Sequence, residues 1–476
     1  MLKVTSQDIQ SAGGFLSALT KQCENYVRSV IQSKGRINFR YTNELSYLER
    51  IIVHTDPHID EYVAELLFRA CLPQTTDTSR LQFQELSIAS KDNDLNCKNL
   101  FPISAVLGIG SIASGGANPL FLFDEHINRE GKSRTAESCS QIVVNSFIPK
   151  MPQSIYTVLR EINTIDSFGG AHSQHIGNII KDIHEIRFAF DCNTKGYLDA
   201  NWKRALIDSC ITAIIYCLEN NIDLFGKPEE KAEALKQSLM SYAQKSIHRN
   251  HEKFKIASDW ISDTYFHQNK VFGSRKAVLR DRNDNEIKNK NGKSIPQLLI
   301  LSRCCFACYN CWGKTITDII FMHFWETIFQ NEINFRIVED EVKSYFDKKG
   351  ERFNTPVGTF KRKILANDLW VVSFSPNNPD FIGATKDVLT NYIKENNKSN
   401  AILLLENPYY NTKALFKLKK TPEPVWQKVV KQILAKEDCW YQAAPYFILN
   451  GNRAHLYHAR SRVDFDVLVK LIEKYV

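Results

Sequence analysis

Two histidines and three carboxylates lie within eight positions of one stretch, His54–Glu61. The β-branched run Ile51–Val53 precedes the stretch, and apolar residues at helical spacing follow it from Val63 to Cys71. This order predicts a buried strand, a tight loop and a helix. Imidazole and carboxylate groups at the end of a strand suit a hard or borderline divalent metal such as manganese. A polar loop with a helix cap is the alternative interpretation, because short clusters of this kind also arise by chance.

A second cluster of possible ligands, Asp124-Glu125-His126, directly follows the apolar, strand-like run Leu120–Phe123. Another strand-like run, Ala105–Ser111, comes before it, whereas residues 73–100 are polar and rich in turn-forming residues and predict a loop. Open α/β sheets bind ligands at the carboxyl ends of their strands, so the two clusters predict one site. Asp166 ends a predicted helix before a glycine pair, where a metal would offset its unfavourable interaction with the helix dipole. An exposed turn aspartate is the alternative there.

The composition is that of an ordinary globular chain. Its 476 residues predict two to four domains, with a hydrophobic share of 43% and a charged share of 24%. No run reaches the roughly 18 apolar residues that a membrane span needs, and the first residues contain no apolar signal core. Twelve cysteines scattered through apolar surroundings predict reduced, buried thiols and a cytoplasmic location. The net charge of +8 permits a phosphate-rich partner.

The order of these motifs resembles the DHH phosphoesterase superfamily. The resemblance lies in a His-x3-His-x-Asp loop from His54 to Asp60, an Asp-x-His at Asp124, and an Ile-Asp-x-x-Gly turn at Asp166. The layout is most similar to the Myg-type nuclease branch, whose first motif has histidine at the position of His58. Further stretches resemble that branch at Ser154–Gly170, Ser246–Phe254 and Phe447–Arg453.

The resemblance implies a set of site residues. The implied metal ligands are His54, His58, Asp60, His126 and Asp166, of which Asp60 and His126 would be catalytic. The chain departs from the family at two motifs, which read Gly108-Ile109-Gly110 instead of Asp-x-Gly and Asp124-Glu125-His126 instead of Asp-His-His. The first departure removes the carboxylate that bridges two metals in the family. The number of metal ions bound, one or two, therefore stays open. Candidate compensating carboxylates are Asp56, Asp124 and Glu125.

Two basic stretches suggest how a substrate could be held. The resemblance implies substrate binding by Asn450, Gly451, Arg453 and His455, which follow the strand-like run 446–449 and would face the metal site across a cleft. An ordinary basic hairpin is the alternative. Between residues 270 and 293, eight basic residues outnumber three acidic ones. This tract could lie along a phosphate backbone or form a solvated surface.

A cysteine-rich stretch, residues 304–312, raises the question of a zinc or iron–sulfur site. Cys304, Cys308 and Cys311 share one face of a predicted helix. The segment continues as an apolar helix through Trp325, and no partner Cys-x-x-Cys motif is visible elsewhere. The pattern therefore argues against zinc and favours small buried side chains.

These observations predict an α/β protein with a DHH-like parallel-sheet catalytic domain, a helical connector and a smaller C-terminal α/β domain, with a cleft between the two α/β domains. The predicted divisions are a helical extension at 1–47, the catalytic domain at 48–230, the connector at 231–349 and the C-terminal domain at 350–476. The predicted function is a phosphodiesterase that uses Mn²⁺ or Mg²⁺ to activate water and cleaves single-stranded nucleic acid, DNA or RNA, from its ends. The alternative is a catalytically degenerate DHH-like subunit that binds nucleic acid or a protein partner without cleaving. No membrane association is expected, and a protein partner or a homo-oligomer stays open.

Overall fold

The computed structural model divides the chain into two compact units. One unit comprises residues 1–184 and 194–328, and the other comprises 185–193 and 329–476. The four-part division predicted from the sequence, and the cleft between its domains, stay predictions. The structure describes residues 1–38, 42–45, 47–54, 57–73, 81–86, 103–108, 119–124, 138–168, 171–172, 175–180, 200–225, 277–281, 285–346, 350–378, 381–395, 400–408, 412–437, 440–444, 447–450 and 461–476, with 237, 240, 244, 255 and 258 as isolated positions.

A four-stranded sheet lies in the first unit. Its strands, in chain order, are β1 (Arg50–His54), β2 (Gln82–Leu86), β3 (Ser104–Leu107) and β4 (Phe121–Phe123). The spatial order is β2-β1-β3-β4, and every neighbouring pair is parallel. Parallel sheets are buried on both faces, in keeping with the unbroken apolar character of β1 and β3. The predicted α/β class with a parallel sheet is confirmed.

The strand β2 lies in a stretch that the sequence predicted to be a loop, and that part of the prediction is wrong. Gln82, Gln84 and Glu85 give the stretch a polar character that hides its strand. The strand lies at one edge of the sheet and pairs only with β1 in the described structure. An edge strand contacts the core less than a central strand, so polar residues are tolerated there.

Helices surround this sheet within the first unit. The helix α4 (Ile59–Cys71) is central, because it packs against α2, α5, α6 and α7 and all of its residues are buried. The helices of the unit that the structure describes are α1 (Ser6–Ser11), α2 (Phe15–Lys34), α3 (Thr42–Leu45), α4, α5 (Cys139–Phe147), α6 (Gln153–Phe168), α7 (Ala200–Glu219), α8 (Leu301–Trp312) and the start of α9 (Lys314–Phe346).

A break at Gly313 separates α8 from α9. The sequence predicted one apolar helix running through Trp325, and the structure corrects this prediction. Gly313 has φ +84°, a left-handed conformation that glycine adopts without the steric cost borne by other residues, and it ends α8.

The second unit contains a seven-stranded mixed sheet with the order β10-β11-β9-β8-β7-β6-β5. The pair β7–β8 is parallel and the other neighbouring pairs are antiparallel. Its elements are β5 (Arg352–Thr355), β6 (Gly358–Ile364), β7 (Trp370–Pro376), α10 (Phe381–Glu395), β8 (Ala401–Asn407), β9 (Thr412–Lys417), α11 (Glu423–Lys436), β10 (Trp440–Ala444), β11 (Phe447–Asn450) and α12 (Phe465–Glu473).

Alternating side chains of the central strands build two cores in this unit. Val372 joins the core that includes α10, whereas its neighbour Val371 joins the core that includes α11 and α12. This alternation follows from the two-residue repeat of a strand. Among the helices that the structure describes, none is both long enough and apolar enough to cross a bilayer.

Candidate functional site

The carboxyl ends of β1, β3 and β4 meet at one edge of the parallel sheet, which we call the carboxyl edge. His54 is the last residue of β1, Gly108 follows β3 and Asp124 follows β4. The Phe123 carbonyl accepts a hydrogen bond from the Gly108 N–H at 2.8 Å and another from the Cys139 thiol at 3.1 Å. The end of β3, the end of β4 and the start of α5 are therefore joined at this edge.

Asp60 connects α4 to the carboxyl edge. Its side chain is buried, and its carboxylate accepts hydrogen bonds from the backbone N–H groups of Cys139 at 2.7 Å and Ser140 at 3.1 Å. The Ser140 hydroxyl donates a third hydrogen bond. The first N–H groups of a helix have no partner within the helix, and a carboxylate there also interacts favourably with the helix dipole. Asp60 therefore holds the start of α5 against α4, a role that the sequence pattern did not predict.

The same hydrogen bonds are compatible with the role that the resemblance implies for Asp60. Carboxylates that ligate metals are commonly held in place by hydrogen bonds from surrounding groups. Each carboxylate oxygen has more than one lone pair, so accepting from the helix does not exhaust its capacity. The metal-ligating role of Asp60 stays a prediction.

Glu61 places a further buried carboxylate at the carboxyl edge. Its Oε2 accepts a hydrogen bond from the His58 N–H at 2.8 Å. Gly108 has φ +67°, and a Cβ atom added there would lie 2.8 Å from both Cγ and Oε1 of Glu61. Real Cβ contacts are essentially never this short, so any other residue at position 108 would have to displace the Glu61 side chain and adopt a left-handed backbone. One signal in the sequence could have identified Glu61, because it is a second acidic residue directly after Asp60 in the first turn of an apolar helix.

The other predicted ligands and the candidate compensating carboxylates have different positions. Asp124 is buried at the end of β4, whereas His58 is exposed just before α4. Asp166 is half-buried in the last turn of α6, a helix that packs against α4 and α5. The His54 backbone ends β1, but its side chain lies outside the described part of the structure, together with Asp56, Glu125 and His126.

Among the side chains that the structure does describe, no three or more His, Cys, Asp or Glu residues form a group able to hold a metal ion. Four of the predicted ligands and compensating carboxylates are not among those side chains, so the complete ligand set stays a prediction.

A buried Glu161–His175 pair fixes the segments next to α6. Glu161 Oε1 lies 3.1 Å from His175 Nε2 and accepts a hydrogen bond from the Leu299 N–H at 2.9 Å, while Oε2 accepts one from the Leu298 N–H. His175 Nδ1 accepts from the Gly177 N–H at 3.1 Å, so the ring proton belongs on Nε2, facing Glu161. The pair ties the chain around residues 175–180 and 297–299 to the helix that carries Asp166.

The described part of the basic tract contains a hairpin, which we call the basic hairpin, over residues 286–296. Lys288, Lys290 and Lys293 are exposed near its turn. The Gln297 side chain anchors its base, because its amide donates to the Val278 carbonyl at 3.0 Å and its Oε1 accepts from the backbone N–H of residue 172 at 3.0 Å. Lys288 pairs with Ser294 within the hairpin, and the preceding segment pairs with it through Val278 with Pro296 and Arg280 with Glu286.

The cysteines of α8 lie in a buried contact with α7. Cys304, Cys308 and Cys311 are fully buried, and the Cys308 thiol is 3.8 Å from the Ser209 carbonyl. Burial raises the pKa of Cys311, with the neighbouring Cys308 raising it further. Burial and hydrogen bonds to Cys304 and Cys308 likewise raise the pKa of Cys210. Thiolates bind metals and thiols do so poorly, so this environment favours protonated, packed side chains.

The residues predicted to bind substrate fall mostly outside the described structure. Asn450 ends β11, where its backbone pairs with Trp440 on one side and Lys413 on the other. Gly451, Arg453 and His455 lie outside the described residues. Substrate binding by this loop stays a prediction.

Comparison with known proteins gave one similar structure. No family model matches the chain, and no curated protein matches it. Among solved structures, the chain is similar to a DHH domain described as a member of the s1p family of ribosomal proteins. The similarity covers 98% of this chain and 96% of that chain, at 10% identity and a TM-score of 0.36.

Proposed function

We propose that this protein is a divalent-metal-dependent phosphodiesterase that cleaves single-stranded nucleic acid from its ends and has its site at the carboxyl edge. The observation that supports this proposal is that three buried carboxylates, those of Asp60, Glu61 and Asp124, belong to elements that begin or end at this edge. Burying carboxylates together costs free energy unless donors or cations compensate their charge. Carboxylate oxygens are also the ligands that Mg²⁺ and Mn²⁺ prefer in proteins.

Glu61 is proposed to replace the bridging aspartate that the chain lacks. The resembled Asp-x-Gly motif reads Gly108-x-Gly110 here, so the missing carboxylate corresponds to position 108. The Glu61 side chain lies where a Cβ of residue 108 would have to go. A side chain at residue 108 and the present position of Glu61 therefore exclude each other, and Glu61 would supply negative charge beside residue 108.

The proposal gives each group a distinct task. Glu61 and Asp124 would hold the cation together with the predicted ligands His54, His58, Asp60, His126 and Asp166. When bound, the cation would stabilise the developing charge on the phosphoryl oxygens and make water more acidic. Asp60 would also hold the start of α5 against α4. The lysines of the basic hairpin would contact the phosphate backbone of the nucleic acid.

The test uses the full chain and a matched control. Glu61→Gln and Asp124→Asn each remove one charge from the carboxyl edge with little change in shape. Asp318→Asn removes the charge of a carboxylate on α9 that pairs with Lys314 on the surface. Each protein is melted with and without Mn²⁺ and then assayed on end-labelled single strands of DNA and RNA. A ligand at a hundredfold excess over its dissociation constant stabilises a folded protein by about 2.7 kcal/mol.

We expect Mn²⁺ to stabilise the wild type and the Asp318→Asn control and to support cleavage by both. Glu61→Gln and Asp124→Asn should cleave at least tenfold more slowly than the wild type and should be stabilised less by Mn²⁺. Both variants should melt like the wild type in the absence of metal. Cleavage that is unaffected by both edge variants would refute the proposed site.

The degenerate-subunit alternative is supported by the missing aspartate of the resembled Asp-x-Gly motif. In that case the wild type would bind single strands, would neither cleave them nor respond to Mn²⁺, and would bind equally well after the Glu61→Gln change.

A further inference from the structure

A cavity of about 300 Å³, which we call the charged pocket, opens in the first unit away from the carboxyl edge. It is lined at the start of the strands, by Ile51 of β1 and by the first two residues of β2. Arg69, which also lines it, is nine residues along α4 from Asp60, or roughly 13 Å at 1.5 Å per residue. The charged pocket and the carboxyl edge are therefore separate places joined by one helix.

The acidic side chains of the charged pocket are already engaged by buried arginines. Arg69 pairs with both oxygens of Glu65, at 2.6 and 2.8 Å, and with Asp208 at 2.6 Å. Glu24 accepts from Arg28 at 2.7 Å and from Lys21 at 3.2 Å, and it lies 3.5 Å from Arg69. These contacts leave Glu24 and Glu65 little capacity to neutralise a further cation.

Arg204, a third arginine, lines the charged pocket and is less completely hydrogen-bonded than Arg69. Its guanidinium lies 3.6 Å from Glu65 Oε1, which is too long for a hydrogen bond, and 4.9 Å from the centre of the Phe83 ring. Its Nε is buried, and no hydrogen-bond acceptor for it lies within the described part of the chain. A buried donor without an acceptor is costly, whereas a guanidinium offers paired donors that match an anion.

The balance of charge around the charged pocket is positive. The lining contains three cationic side chains, Lys21, Arg69 and Arg204, and two carboxylates, Glu24 and Glu65. The sum of these charges is +1. The hydroxyl groups of Ser11, Ser17 and Thr20 and the amide of Gln82 also line it. The lining therefore combines an under-used guanidinium with uncharged hydrogen-bonding groups.

We propose that the charged pocket binds a small hydroxylated phosphate monoester, with its phosphate on Arg204 and Lys21 and its hydroxyl groups on the neighbouring serine and threonine side chains. A guanidinium recognises phosphate through two parallel hydrogen bonds. The volume is at the lower end of the range for small-molecule sites, so it admits a compact metabolite and excludes a nucleic-acid strand. This binding needs no metal and does not depend on the activity proposed for the carboxyl edge.

The test measures binding to the full chain by calorimetry in metal-free buffer, with glycerol 3-phosphate, inorganic phosphate and succinate as probes. Arg204→Gln removes the guanidinium. Ser17→Glu adds a negative charge at an exposed lining position, where the fold is not at risk. Lys314→Gln removes a surface cation on α9 and serves as the control. Melting without ligand verifies that each variant is folded.

We expect glycerol 3-phosphate to bind the wild type and the control more tightly than succinate does. Arg204→Gln and Ser17→Glu should each weaken its binding at least tenfold. The absence of phosphate-ester binding to the wild type, tighter binding of succinate, or unchanged affinity in Ser17→Glu would each overturn the proposal. None of these outcomes bears on cleavage at the carboxyl edge, which has its own assay.

Discussion

Replacing Asp60 with alanine should lower the free energy of unfolding, whether or not Asp60 takes part in catalysis. The change removes the acceptor of two buried backbone N–H groups, those of Cys139 and Ser140. A buried donor that loses its partner costs about 1–3 kcal/mol, so two such donors predict a loss of about 4 kcal/mol. The Ser140 hydroxyl adds little to this sum, because the Ser138 hydroxyl at 3.1 Å offers it another partner.

Urea unfolding of the wild type and the variant measures this loss directly. Ser140→Ala is the matched control, because it removes only the hydroxyl contact to Asp60 and should cost about 1 kcal/mol. A loss below about 1 kcal/mol for Asp60→Ala would refute the idea that this carboxylate holds α5 in place. The expected loss is also why Glu61→Gln and Asp124→Asn are the better probes of chemistry.

Further predictions concern buried charges away from the carboxyl edge. Arg69→Met leaves Glu65 and Asp208 without their main partner and should cost about 3–5 kcal/mol in urea unfolding, against less than about 1 kcal/mol for the exposed Lys314→Met control; equal losses would contradict this. Burial raises the pKa of Asp208 to about 7, so the folded state binds more protons than the unfolded state between about pH 4 and pH 7. The stability of wild type relative to Asp208→Asn should therefore fall as pH rises through that window, and a rise measured by unfolding at pH 5 and pH 8 would count against it. Glu161→Gln replaces a carboxylate oxygen that accepts a backbone N–H with an amide NH₂ group and should cost about 2 kcal/mol of stability. Hydrogen exchange at residues 298 and 299 should become faster, and unchanged exchange there would argue against this role of Glu161.

The sequence predicted the parts of the fold that local patterns determine. The strand β1 and the helix α4 follow from a β-branched run, a proline-containing loop and apolar residues at helical spacing. The strands β3 and β4 and the helix α6 follow in the same way, whereas the parallel pairing of the sheet was implied by the resemblance to the DHH superfamily. Asp124 could be located at the carboxyl edge because it directly follows an apolar strand.

Features that depend on distant parts of the chain could not be predicted. Glu65 and Arg69 are four residues apart, a spacing typical of an exposed helical ion pair, yet both are buried and share a network with Asp208. The position of Glu61 against Gly108 arises only when the start of α4 meets the end of β3. Neither contact leaves a periodic signal in the sequence.

Calorimetric titration of Mn²⁺ into the wild type and into Glu61→Gln tests the central claim most directly. The proposed function predicts saturable binding to the wild type and at least tenfold weaker binding to the variant, with both proteins equally stable in the absence of metal. Equal affinity in the two proteins, or no saturable binding to the wild type, would contradict a metal site in which the Glu61 carboxylate takes the place of the missing aspartate.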